Sequence, residues 1–286
     1  MNTILIGVDD SERSEDAIAF GCRIAAVSGA QVIVACAFPY ARAHGYATLR
    51  DAALDTAHAM SRKLEGVPAQ RVSIRAPAAS PAEGLHELAI VEHASLVVVG
   101  STHTGRLGRV YPGSTGEKLL QGAPCAVAIV PRSYDEQPGG RIGVAYDGSD
   151  EATAALDSAV ALAEAFGAEL ELIGVAPSDW YTGPALAGGV GVDVLREEIE
   201  QDMRERLERA AASIGIPATT IMRTGDPAYE LAERSAALDL LVTGSRGYGP
   251  LRSVITGGVS GRVIRSASCP VIVVPRGAEP ALQVAA

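Results

Sequence analysis

The chain repeats itself, and this constrains its fold more than any other feature. Residues 4–11 read ILIGVDDS and residues 142–149 read IGVAYDGS, each an apolar run closing on Asp-x-Ser. The block at 96–101 (LVVVGS) returns at 240–245 (LLVTGS), and the block at 123–132 (APCAVAIVPR) returns at 267–276 (ASCPVIVVPR). Asp9 and Asp147 lie 138 positions apart and the later blocks 144 apart, so the second copy carries six more residues in its middle. Three matched blocks in one order are more than chance similarity between apolar strands explains. The polar stretch at 133–140 (SYDEQPGG) separates the copies. This reading divides the chain into a first domain at 1–132, a linker at 133–140, a second domain at 141–276 and a tail at 277–286.

Each copy alternates apolar runs with amphipathic segments. The first predicts strands near 3–8, 31–37, 71–76, 95–100 and 126–130, with helices near 12–28, 47–66, 81–93 and 114–122. The second predicts strands near 141–146, 169–175, 218–224, 238–243 and 270–275. Such alternation gives βαβ units with right-handed crossovers, hence an α/β fold with a doubly wound, mostly parallel sheet in each copy. Aromatic residues are 4% of the chain, so Val, Ile, Leu and Ala must build the cores, as suits parallel sheets covered by helices. Ligands of such sheets bind beyond the carboxyl ends of the strands, where the strand order reverses. The places to examine are therefore the ends of the first and fourth strands of each copy.

At the end of the fourth strand, the first copy has Gly100 and His103, then Gly113, Ser114 and Thr115. The second has Gly244 and Gly247, then Gly257, Gly258 and Ser260, at the same spacing. Glycines let backbone N–H groups approach an anion closely, and the start of the next helix offers further donors. Arg106, Arg109, Arg246 and Arg252 in the same loops add positive charge. A turn with a helix cap is the bland alternative, and recurrence at one spacing favours a ligand loop. After the first strand stand Asp9 and Asp147, each followed two residues later by a serine. Ser11 and Ser149 suit helix capping, which leaves the aspartates to meet a ribose hydroxyl or a phosphate-bound metal.

A strand ending in V-D-x-S, a fourth strand followed by G-x2-G-x9-G-[ST], and a short helix running into C-P-V-x-V-V-P together resemble the universal stress protein family, over residues 2–132 and 140–276. The resemblance implies a five-stranded parallel sheet of order 3-2-1-4-5 in each copy and binding of ATP or ADP, with Mg as a candidate companion. It implies that Ala37 and Val175 shape an adenine pocket, that Asp9 and Asp147 face the nucleoside, and that the loop glycines and hydroxyls hold the phosphates. The chain departs from the motif at His103, which replaces a glycine, and at Gly258, which replaces a hydroxyl residue. Crowding by a side chain costs more than one lost phosphate contact, so the second crevice is expected to be the more dependable site.

Other chemistries are disfavoured. The net charge of −10 argues against a nucleic-acid partner. There is no P-loop, no G-x-S-x-G elbow and no G-x-G-x-x-G after either first strand. Cys22, Cys36, Cys125 and Cys269 lack CxxC spacing and read as buried free thiols. No apolar run reaches membrane-spanning length, and the start of the chain shows no signal pattern, so a cytoplasmic location is expected. The acidic run from Glu197 to Glu208 reads as a solvated helix face, and residues 180–191, with Trp180 and Tyr181, as a flap. The fifth strands at 126–130 and 271–274 are apolar and lie at sheet edges, a liability unless paired. The resemblance implies that such strands pair between subunits, so with two copies in one chain they are expected to meet internally as a pseudo-dimer. Homodimerisation of the whole chain and unidentified protein partners stay open. The functional expectation is a stress-response regulator that binds ATP or ADP, with no catalytic residue assigned. The alternatives are a slow metal-dependent ATP hydrolase or nucleotidyl transferase, and a scaffold that binds no nucleotide.

Overall fold

The computed structural model describes residues 2–40, 45–101, 113–134, 140–178, 192–245 and 258–277. The first copy runs β1 (Thr3–Gly7), α1 (Arg13–Ser28), β2 (Gln31–Ala35), α2 (Tyr46–Ser61), β3 (Val72–Arg75), α3 (Pro81–Val91), β4 (Leu96–Gly100), α4 (Gly113–Leu120) and β5 (Ala126–Val130). The second runs β6 (Arg141–Ala145), α5 (Asp150–Phe166), β7 (Glu169–Pro177), α6 (Val192–Ser213), β8 (Ala218–Gly225), α7 (Pro227–Ser235), β9 (Leu240–Gly244), α8 (Val259–Ile264) and β10 (Val271–Val274). Local chemistry sets several of these boundaries. Gly29 and Gly167 end α1 and α5 at φ 65° and 61°, left-handed values that suit glycine. Pro81 and the reciprocal Ser80–Glu83 box start α3, and Asp226 followed by Pro227 starts α7.

The strands form one ten-stranded sheet in the order β3-β2-β1-β4-β5-β10-β9-β6-β7-β8. Each half thus has the order 3-2-1-4-5, and every neighbouring pair is parallel except β5 with β10. At that antiparallel seam Val127 faces Val273, Ala128 faces Ile272 and Ile129 faces Val271. Ala128 and Ile272 are equivalent under the 144-residue repeat, so a pseudo-two-fold axis passes through that pair. The expected internal pseudo-dimer is therefore built by joining the two sheets at their otherwise exposed fifth strands.

The sheet divides the core into two layers that both run across the seam. One lies under α1, α2, α5 and α6, and the other under α3, α4, α7 and α8. Polar contacts tie the halves together on each face: the Arg23 guanidinium lies 4.5 Å from the centre of the Phe166 ring, and Arg265 pairs with Glu117 at 3.2 Å. Tyr134, which follows β5, folds back over α1, where its N–H donates to Asp16 at 3.0 Å and its hydroxyl accepts from Arg23.

The four cysteines are buried and free. Burial pushes the Cys125 thiol up to about 12 and raises Cys269 as well. The acidic run forms part of α6 and carries (i, i+4) pairs, Arg204 with Glu200 and Arg206 with Asp202, as a solvated helix face should. Among the described residues, no helix is long and apolar enough to cross a membrane.

Candidate functional site

Each half has a cavity at the carboxyl ends of its central strands. In the second half it measures about 450 Å3, and its lining includes Asp147, Val175, Gly244, Gly258 and Ser260. These are all the candidate residues of that half that are described; Gly247 and Gly257 lie outside the described residues. Ile173, Pro177, Met203, Leu231 and Val259 give the wall an apolar part. In the first half the cavity is about 120 Å3, with Asp9, Ala37, Gly100 and Thr115 in its lining. Ser114 is exposed on the first turn of α4 and does not line it. Gly113 is the first residue of α4, while His103 and all four loop arginines lie outside the described residues, as does the expected flap.

The two aspartates share a turn but differ in their partners. Asp147 accepts hydrogen bonds from the N–H and hydroxyl of Ser149, at 3.0 and 2.6 Å. Ser149 also caps α5, its oxygen accepting from the N–H of Ala152 at 3.2 Å. Asp9 accepts from the N–H and hydroxyl of Ser11 and from the Ser14 hydroxyl, and it pairs with Arg13 at 2.9 Å. Burial pushes the Asp9 carboxyl up, but the Ser11 and Ser14 hydrogen bonds and the Arg13 charge outweigh it, leaving the group below its usual value. Here the structure corrects a sequence expectation. Ser11 does not cap α1, whose first turn follows Glu12 without a side-chain cap, and its hydroxyl is instead spent on Asp9.

The motif glycines at the strand ends also have a structural reason that the sequence did not reveal. A Cβ at Gly100 would strike the carbonyl oxygen of Arg13, and one at Gly244 would lie 2.5 Å from that of Glu151. The first turn of α1 or α5 packs directly on the glycine, so helix packing requires it whether or not a ligand is bound. Ser260 is similarly occupied: its hydroxyl donates to the Gly244 carbonyl at 2.8 Å and ties α8 to the end of β9. Its proton is thus directed at the protein. Arg13, Glu151, Met203 and Arg206 also line the cavities. Sequence reasoning passed over Arg13 and Glu151, although each stands four residues after its aspartate, within reach on the first helical turn.

Two doubly wound α/β domains are thus joined edge to edge, with a cavity at the topological switch point of each. The family described as "Universal stress protein family" matches residues 1–131 and 140–275. Universal stress protein Rv2005c of Mycobacterium tuberculosis is 30% identical over 289 residues, covering 94% of this chain and 96% of that protein. A crystal structure of a universal stress protein from Archaeoglobus fulgidus is similar with a TM-score of 0.70 at 24% identity, covering 96% of this chain and 99% of that one. A universal stress protein in complex with cAMP matches 49% of this chain and 98% of its own, at 23% identity and a TM-score of 0.35. The chain belongs to the universal stress protein family, as a tandem two-domain member.

Proposed function

We propose that the chain is a regulatory protein that binds ATP or ADP. The observation that carries this reading is the convergence of Asp147, Val175, Gly244, Gly258 and Ser260 on one cavity of about 450 Å3. That volume falls within the roughly 300–1,000 Å3 of small-molecule sites, and its wall combines apolar side chains with a few polar groups, as such sites do. Val175, Pro177 and Met203 would receive the flat base, Asp147 would face the ribose, and the backbone around Gly244 and Gly258 would take the phosphates. The first cavity has the same plan at about 120 Å3, so the second is the more open of the two. Magnesium carried on the nucleotide takes one or two carboxylates beside the phosphates, and Asp147 is suitably placed in the second cavity to supply one. Among the described residues, no three His, Cys, Asp or Glu side chains gather as a metal cage.

Mass spectrometry of small molecules released from freshly purified, denatured protein tests the reading, together with thermal unfolding with and without ATP. A tight ligand raises apparent stability by mass action. A released adenine nucleotide and a rise in Tm with ATP are the expected results. Their joint absence leaves the scaffold reading, and turnover near the enzymatic median of roughly 10 per second would make the chain an enzyme.

A further inference from the structure

The two crevices differ at one charged position that the repeat picks out. Arg13 and Glu151 stand 138 residues apart, as Asp9 and Asp147 do, and the backbone of each packs on the glycine that closes its crevice. In the first crevice the charges among the described lining residues are one anion and one cation, Asp9 and Arg13, paired at 2.9 Å. In the second, Asp147, Glu151 and Asp202 face Arg206 as the one cation among the described lining residues. The Glu151 side chain is only 12% exposed, whereas its partner Arg276, at 3.0 Å, is 73% exposed and largely screened by water. A carboxylate held in a cleft with low-dielectric walls acts on a bound anion more strongly than one on open surface. The Arg13 side chain is 26% exposed and is held by both Asp9 and Ser11, so its guanidinium stands at the crevice wall, where a phosphate would share it with Asp9.

We propose that Arg13 and Glu151 give the crevices opposite preferences for ligand charge: the first favours the polyanionic adenine nucleotide, and the second the adenine ligand with fewer phosphates. This rests on the nucleotide reading above and extends it, since the same fold would then hold two differently phosphorylated ligands in one chain. Arg13 and Glu151 are the specificity-determining residues, acting through charge at a position where their backbones play the same structural part.

Calorimetric titration with ATP and with adenosine, both in EDTA, tests this on the full chain. Glu151→Gln should strengthen ATP binding about fivefold and leave adenosine unchanged, because adenosine carries no phosphate to repel. Arg13→Gln should weaken ATP binding about fivefold, again without touching adenosine, and Arg13→Lys, which keeps the charge, should restore it. Equal shifts for the two ligands, or an ATP affinity blind to both substitutions, would overturn the charge assignment while nucleotide binding itself stands. Wild-type protein that binds neither ligand would overturn both. Circular dichroism melts of each variant separate lost binding from lost folding.

Discussion

The first and second halves have the same strand order and turns, yet they spend their polar groups differently. In the first half the crevice carboxylate is saturated: two serines and an arginine hold Asp9, and the cavity beside it is small. In the second half Ser149 both holds Asp147 and caps α5, and a larger, more acidic cavity opens beside it. The strands show the reverse contrast. The first half buries Ile33 in β2, whereas the equivalent β7 position holds Glu171, 6% exposed. Glu171 is bound by Arg234 through two guanidinium nitrogens and by Arg141 at 3.1 Å. The repeat therefore fixes the backbone and leaves side chains free to diverge wherever a polar group can find a partner. A buried ion network is tolerated in place of an apolar contact because its charges and hydrogen bonds are met internally.

The largest expected effect comes from breaking that network. Arg234→Met should destabilise the chain by about 3 kcal/mol, because it leaves Glu171 buried with only the half-exposed Arg141. Replacing both partners, Glu171→Ile with Arg234→Leu, should recover most of that loss and bring the second half closer to the first. Urea unfolding of the single and double variants measures it, and a double variant as unstable as the single would deny the equivalence.

The shared feature should respond alike in both halves. Gly100→Ala and Gly244→Ala each drive a Cβ into the carbonyl of a helix's first turn and should cost about 1–3 kcal/mol apiece. A large disparity between them in thermal melts would mean that the two helix contacts are not equivalent. Gly258→Val separates the crevices instead. Gly258 has φ −64° and ψ 155°, extended values that valine adopts readily, so folding should hold while the side chain enters the second cavity. Nucleotide affinity there should fall at least about tenfold, equal to roughly 1.4 kcal/mol, with the first crevice unchanged in calorimetry.

The smallest effect concerns acid. The folded Asp9 carboxyl titrates below its usual value, so its contribution to stability is complete above the unfolded pKa and is lost as pH falls through the folded one. Asp9→Asn should remove that contribution at neutral pH and flatten the acid limb of the unfolding curve below about pH 4. The side chain is 52% exposed, so the change is small and is best read from the carboxyl shift in NMR titration. Asp16 provides an internal control, since burial holds it above its usual value.

The duplication, the α/β alternation and the pairing of the fifth strands were legible in the sequence, because period, composition and apolar edges are local or repeated signals. Asp9, Gly100 and Thr115 could be placed at one cavity and Asp147, Gly244, Gly258 and Ser260 at the other, because the ends of the first and fourth strands in a doubly wound sheet converge on the switch point. Ala37 and Val175 came only from the family resemblance. Ser114 was assigned to the site and does not reach the cavity, since one position around a helix turns a side chain by about 100°. The sequence could not say which hydrogen bonds Ser11, Ser149 and Ser260 would make, because a hydroxyl both donates and accepts and takes whichever partner packing supplies. Nor could it reveal that Gly100 and Gly244 yield to a helix backbone, a contact between segments some 90 residues apart. Sequence by itself determined the repeat, the layers and the seam; only the tertiary structure decided how each half distributes charge around its crevice, because that depends on distances between side chains that no local pattern encodes.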